Sequence, residues 1–130
     1  MTTRGITVLA GGLAETRKIA KAAEAAGFDA TWSGEFLNRS AVVSVAAMAA
    51  ATTKIGVGTA IAYAVGRSPL VLANDARFLD EMSDGRLTLG LGTGTRGMSD
   101  DDYLHRLAIL GRDDRGGGMA MFFATELAGL

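Results

Sequence analysis

Short apolar runs alternate with helix-like segments along most of the chain, and this alternation limits the fold more than any other feature of the sequence. The runs that predict strands lie at 6–10, 28–33, 55–61 and 86–92, and the segments that predict helices lie at 14–26, 41–51, 69–84 and 100–110. Apolar strands separated by amphipathic helices are typical of a parallel sheet with helices packed on it. The sequence therefore predicts an α/β fold built from successive strand–helix units.

The predicted helix ends carry local signals. Ser40 and Ser68 stand at N-cap positions, and Pro69 occupies the first position of the third helix, where a missing N–H is tolerated. Gly27 and Gly85 follow the first and third helices and indicate where these end. The second helix contains almost no charge, so we expect most of its surface to be buried.

The composition excludes several classes of function. The 130 residues include 13 basic and 14 acidic side chains, and a formal net charge of −1 gives no attraction to nucleic acid or to an anionic membrane. The chain has no cysteine and one histidine, His105, which leaves little material for a metal site or a thiol nucleophile. Because no apolar stretch is long enough to cross a bilayer and no secretory signal precedes the first strand, a cytoplasmic location is predicted.

The third and fourth predicted strands alternate large apolar residues with glycine, over 55–59 and 89–93. Because side chains alternate between the two faces of a strand, each of these strands has a bulky face and a nearly bare face. Two interpretations stay open. The bare face admits a flat ring close to the backbone, or the small residues fit a tightly packed neighbour in a narrow barrel interior.

Glu35 follows the second predicted strand, at the carboxyl edge where parallel sheets collect their functional residues. We predict Glu35 as a general acid or base. The alternative is a loop carboxylate that is solvated or paired with Arg39.

The spacing of glycines at 92–97 matches the dinucleotide-binding pattern G-x-G-x-x-G. Three consecutive aspartates at 100–102 follow this segment, and their charge would repel a pyrophosphate at the start of the next helix. The match is therefore weak evidence for a dinucleotide site. His105 is interpreted as a surface residue of that helix.

One block of residues resembles a known family. The block comprises Arg67-Ser68-Pro69, the segment Leu-Asp-Glu-Met-Ser-Asp-Gly-Arg at 79–86 and the segment Leu-Gly-Leu-Gly-Thr-Gly at 89–94, with further matches at 11–12, 26–29 and 32–35. It is similar to bacterial luciferase-like monooxygenases, and in particular to the branch that uses the deazaflavin coenzyme F420. The resemblance covers about residues 5–103 and implies the N-terminal half of a (β/α)8 TIM barrel.

The resemblance also implies a cofactor and its binding residues. Members of the family are oxidoreductases in which F420 exchanges a hydride with a small organic substrate, or in which FMN supports monooxygenation. The ring lies over the carboxyl ends of the strands, with Glu35 as the catalytic residue beside it. The implied cofactor-binding residues are Phe36, Thr59, Ala60, Ile61, Thr93 and Gly94, with a non-prolyl cis peptide near 59–61.

A complete barrel takes about 250 residues, so this chain supplies at most half of one. We divide it into a partial barrel domain over 1–105 and an unmatched tail over 106–130, in which 119–130 predict a short helix or no stable structure. The alternative fold is a small doubly wound, flavodoxin-like domain. The alternative function is a non-catalytic half barrel that forms a homo-oligomer or binds a partner supplying the missing strands.

Overall fold

The computed structural model describes residues 3–36, 38–64 and 67–92, and the backbone of 120–123. Its helices are α1 (Leu13–Ala25), α2 (Ala41–Ala51) and α3 (Pro69–Met82), and its strands are β1 (Gly5–Thr7), β2 (Ala30–Ser33), β3 (Gly56–Tyr63), β4 (Leu87–Gly92) and β5 (Ala120–Phe123). All strands and helices predicted between 6 and 92 are present, with some ends displaced by a few residues. The helix predicted over 100–110 lies outside the described residues.

β1 ends at Thr7 instead of at residue 10, and β2 begins at Ala30 instead of at residue 28. The N–H groups of Gly27 and Phe28 donate to carbonyl oxygens in the last turn of α1, so both residues belong to the end of that helix. Gly27 has a φ of 74°, a left-handed conformation that favours glycine. This confirms the prediction that Gly27 ends α1.

The predicted N-caps are confirmed. The hydroxyl of Ser40 accepts a hydrogen bond from the N–H of Val43 at 3.3 Å, and the hydroxyl of Ser68 accepts one from the N–H of Val71 at 3.2 Å. Pro69 is the first residue of α3. These side chains satisfy N–H groups that the first turns of α2 and α3 leave unpaired.

The strands are all parallel and lie side by side in chain order, from β1 to β5. This sequential order is that of a β/α barrel wall and excludes the doubly wound alternative, in which the order reverses at a switch point. The helix α2 packs between α1 and α3 and against β2 and β3, which accounts for its nearly uncharged surface. The core between the sheet and the helices is built mainly from Val45, Met48, Val57, Leu72, Leu79, Leu87, Leu89 and Leu91.

Residues 120–123 form a strand, which corrects the expectation of a helix or no stable structure for this part of 119–130. β5 pairs with β4 from Thr88 opposite Ala120 to Leu91 opposite Phe123. The edge of β4 has backbone N–H and C=O groups that need partners, and a further strand satisfies them. The aromatic residues of β5 also favour a strand.

Candidate active site at the carboxyl edge of the sheet

β3 contains a bulge where it approaches the carboxyl edge. Thr59 pairs with Leu89 of β4, but the next pair is Ala62 with Leu91, so β3 has one residue more than β4 between the two pairs. Gly90 lies opposite this bulge. The Thr59 hydroxyl donates to the carbonyl oxygen of Gly90 at 2.7 Å and accepts from its N–H at 2.9 Å. The Thr59 side chain is buried, and its two hydrogen bonds hold β3 to β4 across the bulge.

An exposed apolar surface lies beside the bulge. The peptide bond between Ala60 and Ile61 is cis, within the segment where the resemblance implied one. A Cβ on Gly34 would stand 3.3 Å from the carbonyl oxygen of Ala60, 3.3 Å from Cε2 of Phe36 and 3.4 Å from Cδ2 of Leu9. The absence of a side chain at Gly34 thus lets these groups come together. Phe36 and Leu9 are 47% and 50% exposed, and Ala60 is exposed next to them.

The bare faces of β3 and β4 are covered by side chains of the chain itself. A Cβ on Gly58 would lie 2.5 Å from Cζ3 of Trp32, so the indole packs directly against this glycine. The side chain of Ile61 covers Gly92 in the same way. At these two glycines the structure favours the interpretation of a tightly packed neighbour, and the flat ring against Gly58 is the indole of Trp32.

Glu35 forms a bidentate ion pair with Arg67. Nη2 of Arg67 donates to Oε1 and Nη1 donates to Oε2, both at 2.8 Å. The side chains of Glu35 and Arg67 are 11% and 22% exposed. The hydrogen bonds that Arg67 donates to the Glu35 carboxylate raise the pKa of Arg67 above its ordinary value, so the guanidinium stays charged. The carboxylate predicted as the catalytic group therefore lies at the carboxyl edge with both oxygens engaged.

Arg39 does not pair with Glu35, which corrects that alternative. Its guanidinium donates to the hydroxyl of Ser33 at 3.1 Å, the hydroxyl of Thr16 at 2.7 Å and the carbonyl oxygen of Gly11 at 2.9 Å. These bonds join the end of β2 to the start of α1 and to the loop before it. Arg39 thus organises the carboxyl edge between β1 and β2.

In the sequence, Arg67 is recognisable only as part of a helix start and of a family block, and its pairing with Glu35 was not predicted. The two residues are separated by 32 positions, and no periodic pattern links them. A usable signal was that Arg67 immediately precedes the N-cap of α3, at the end of the strand next to β2. Loops that follow neighbouring parallel strands meet at the same edge of the sheet.

Several predicted residues lie outside the described part of the chain. They are Thr93 and Gly94 of the implied cofactor site, the remainder of the glycine segment 92–97, the aspartates 100–102 and His105. Within the ranges 3–36, 38–64 and 67–92, no three histidine, aspartate or glutamate side chains converge to hold a metal ion. Over the same ranges, none of the helices has the length and apolarity needed to cross a bilayer.

Known proteins are similar to this chain in sequence and in fold. The model of the luciferase-like monooxygenase family matches residues 1–104. The 5,10-methylenetetrahydromethanopterin reductase of Methanolobus tindarius is 34% identical over 82 residues, which cover 62% of this chain and 25% of the reductase. The chain spans about a quarter of the length of the curated relatives it matches.

Solved structures show the same relationship. The coenzyme F420 dependent tetrahydromethanopterin reductase from Methanopyrus kandleri is 28% identical with a TM-score of 0.67, and the match covers 78% of this chain and 30% of that one. The oxygenating constituent of 3,6-diketocamphane monooxygenase from Pseudomonas putida, in complex with FMN, has a TM-score of 0.71 at 20% identity. That match covers 83% of this chain and 38% of the monooxygenase, and it shows a common fold. With its sequential parallel sheet and a family match over 1–104, this chain belongs to the luciferase-like monooxygenase family.

Proposed function

We propose that this chain contributes the ring-binding part of a cytoplasmic oxidoreductase that transfers a hydride between coenzyme F420 and a small organic substrate. FMN-dependent monooxygenation is the alternative within the same family. The observation that carries the proposal is the exposed bulge at Ala60 beside the apolar surface of Phe36 and Leu9. This surface lies at the edge where parallel β/α folds bind ligands.

The residues at this edge fit a flat, largely apolar ring. Because Gly34 has no side chain, the ring of Phe36 and the side chain of Leu9 lie close to the Ala60 carbonyl oxygen and form one apolar surface with it. Aromatic and apolar side chains with a few polar backbone groups are typical of cofactor pockets. We assign Phe36, Ala60 and Ile61 to contact with the ring.

Other predicted cofactor residues have different proposed roles. Thr59 supports the bulge from within the sheet through its two hydrogen bonds to Gly90. Thr93 and Gly94 follow β4 directly and, by the family resemblance, approach the ring from that strand. The proposed site therefore joins the ends of β2, β3 and β4.

The chain itself has few groups suited to chemistry, and the cofactor supplies the redox step when it is bound. Phe36 and Leu9 would exclude water from one side of the ring and leave an apolar approach for the substrate. The ion pair of Glu35 with Arg67 is neutral as a unit, so it places no net charge beside the ring. An acid or base role for Glu35 stays a prediction.

A fluorescence titration of the purified chain with F420 and, separately, with FMN tests the proposal. We expect saturable binding near one cofactor per chain, tighter for F420, and quenching of Trp32, the one tryptophan of the chain. Replacing Phe36 by alanine should weaken binding about tenfold because an apolar contact with the ring is lost.

The matched control is Phe78→Ala. Phe78 is 65% exposed on α3, away from the carboxyl edge, and its loss should leave the Kd within about twofold of the wild-type value. Binding of neither cofactor by a chain that circular dichroism shows to be folded would contradict the proposed function. Equal weakening by Phe36→Ala and Phe78→Ala would contradict the assignment of the site.

A second candidate function is a non-catalytic half barrel that associates with another chain. It is favoured by β1, which pairs with β2 on one side and has no neighbour on its other side among the described strands. Sedimentation velocity over a range of concentrations measures this association. A concentration-dependent dimer without cofactor binding would favour the second function, and a monomer at every concentration would contradict the homo-oligomer.

A further inference from the structure

We propose that Glu35 is a positioning residue: together with Arg67 it fixes the end of β3 beyond the bulge, instead of exchanging protons with a substrate. The inference rests on the proposed function where it concerns cofactor binding. Its structural part, which concerns Tyr63 and Arg67, stands independently of the cofactor.

The backbone of Glu35 bonds to β3 beyond the end of the β2–β3 ladder. The ladder ends where Ser33 pairs with Thr59, immediately before the bulge. Two residues further along each segment, the N–H of Glu35 donates to the carbonyl oxygen of Ile61 at 2.9 Å. Through this hydrogen bond, the segment that follows β2 stays bonded to β3 on the far side of the cis peptide.

The side chain of Glu35 makes a second contact with the end of β3. Oε2 of Glu35 accepts from the N–H of Tyr63 at 3.4 Å, a long hydrogen bond in which the carboxylate takes the place of a β2 carbonyl oxygen. Glu35 thus contacts the segment 61–63 at two points, through its own N–H and through its carboxylate. On the opposite side, β4 holds the same segment by pairing Ala62 with Leu91 and Tyr63 with Gly92.

Arg67 orients the carboxylate of Glu35. Its two nitrogens bind the two oxygens of Glu35 at 2.8 Å, and the pair is mostly shielded from water. Removal of either partner would leave a poorly solvated charge without its counterion. The carboxylate is therefore held in one orientation, with the segment 61–63 on one side and the start of α3 on the other.

Occupation of both oxygens also bears on proton transfer. A general base must direct a lone pair at the proton it removes, within hydrogen-bond reach. In Glu35 each oxygen already accepts a hydrogen bond from the guanidinium of Arg67, and the carboxylate side chain is 11% exposed. This arrangement favours a group that holds the segment 61–63 in place over one that approaches a substrate.

The experiment compares Glu35→Gln and Arg67→Met, singly and combined, with Glu24→Gln as the matched control. Glu24 also binds backbone N–H groups across two elements, but at the opposite edge of the sheet. Amide hydrogen exchange by NMR reports the Tyr63 N–H, and the fluorescence titration reports cofactor affinity.

We expect Glu35→Gln to accelerate exchange at Tyr63 and to weaken cofactor binding, each by about tenfold. Arg67→Met should reproduce both effects, and the double variant should be no worse than either single one, because the two residues act as a unit. Arg67→Lys keeps the charge and should recover most of the binding lost in Arg67→Met. Glu24→Gln should leave Tyr63 exchange and the Kd within about twofold of the wild-type values.

Unchanged Tyr63 exchange in Glu35→Gln would overturn the inference. So would full cofactor binding by Arg67→Met alongside a loss in Glu35→Gln, since the carboxylate would then act without its partner. If Glu35→Gln fails to fold, Arg67→Lys and Arg67→Met still provide the comparison. If the wild-type chain binds neither cofactor, the proposed function fails, while the exchange data still decide whether Glu35 positions the segment.

Discussion

The two edges of the sheet use charged side chains in different ways. At the amino edge, the guanidinium of Arg86 donates to the carbonyl oxygens of Ile55 at 2.6 Å and Thr52 at 3.0 Å, beyond the end of α2. The carboxylate of Glu24 accepts from the N–H groups of Thr53, Lys54 and Ile55 in the same loop. These charged groups satisfy the backbone of the loop between α2 and β3.

At the carboxyl edge, the charged groups hold one another and the loops. Glu35 pairs with Arg67, and Arg39 ties the end of β2 to α1. Exposed apolar residues and a bulged strand lie beside them, whereas the amino edge is organised around backbone hydrogen bonds. This difference agrees with the proposed function, in which the amino edge provides stability and the carboxyl edge binds the ligand, the division typical of β/α barrels.

The largest effect is expected from Gly90→Ala, which tests whether the bulge needs a bare position opposite it. A Cβ on Gly90 would collide with the carbonyl oxygen of Thr59, and this backbone atom cannot move without disrupting the bulge. We expect the free energy of unfolding to fall by about 3 kcal/mol in urea titrations. Gly12→Ala is the control, because a Cβ there meets nothing within 4 Å. Equal stability of the two variants would contradict the packing described at the bulge.

The next effect is expected at the amino edge, from Arg86→Met. This change leaves the carbonyl oxygens of Ile55 and Thr52 without their donor, so the free energy of unfolding should fall by about 2 kcal/mol. Cofactor affinity, measured where the variant is folded, should stay within about twofold of wild type if the edges act separately. Arg17→Met, at an exposed position of α1, is the control. A large loss of affinity in Arg86→Met would break the comparison between the edges.

A smaller effect is expected from acid, acting on Glu24. Its backbone hydrogen bonds, first to Ile55 and then to Lys54, lower its pKa from 4.5 to about 2. Because the folded chain holds the ionised form more strongly, this stabilisation is complete above pH 4.5 and is lost as the pH falls toward about 2.

We expect the loss to be about 1 kcal/mol, since Glu24 is partly exposed and water screens its interactions. The measurement is urea unfolding at several pH values between 5 and 2, with Glu24→Gln as the comparison. The variant should be less stable than wild type at pH 5 and should approach it at pH 2. A constant difference between the two proteins across this range would rule out Glu24 as the titrating group.

The smallest effect is a gain in stability at the carboxyl edge, from Gly12→Ser. Gly12 is the N-cap of α1 but provides no side-chain hydrogen bond, and its φ of −81° suits any residue. A serine hydroxyl there should cap α1 and raise the thermal midpoint, by the equivalent of about 0.5 kcal/mol. Gly11→Ser is the contrasting variant, since Gly11 has a φ of 81° and a side chain there is strained. A lower midpoint in Gly12→Ser would show that this loop needs glycine for another reason.

The parts of the fold that depend on neighbouring residues were predictable from the sequence. Ser40, Ser68 and Pro69 mark helix starts because a cap acts within one turn. The strand β5 was missed because its partner β4 lies about 30 residues earlier and the signal within four residues is short. A pattern within a few neighbouring residues cannot show which distant strand edge needs a partner.

The candidate site shows the same limit. Sequence position and the family resemblance directed attention to Glu35 and to the segment 59–61, since both follow strands at the carboxyl edge. The sequence did not reveal that Glu35 pairs with Arg67 instead of the nearer Arg39. The choice between two arginines depends on the directions of two loops, which tertiary packing sets.

The most direct test of the account is an NMR titration of the isotopically labelled chain with F420 and with FMN, mapped onto the backbone amides. The account predicts shifts at the carboxyl edge, at 34–36 and 60–63, with amides of the amino edge at 53–55 and 85–87 unmoved. Shifts centred on the amino edge, or no shifts in a folded chain at saturating cofactor, would contradict the claim that the carboxyl edge forms the site.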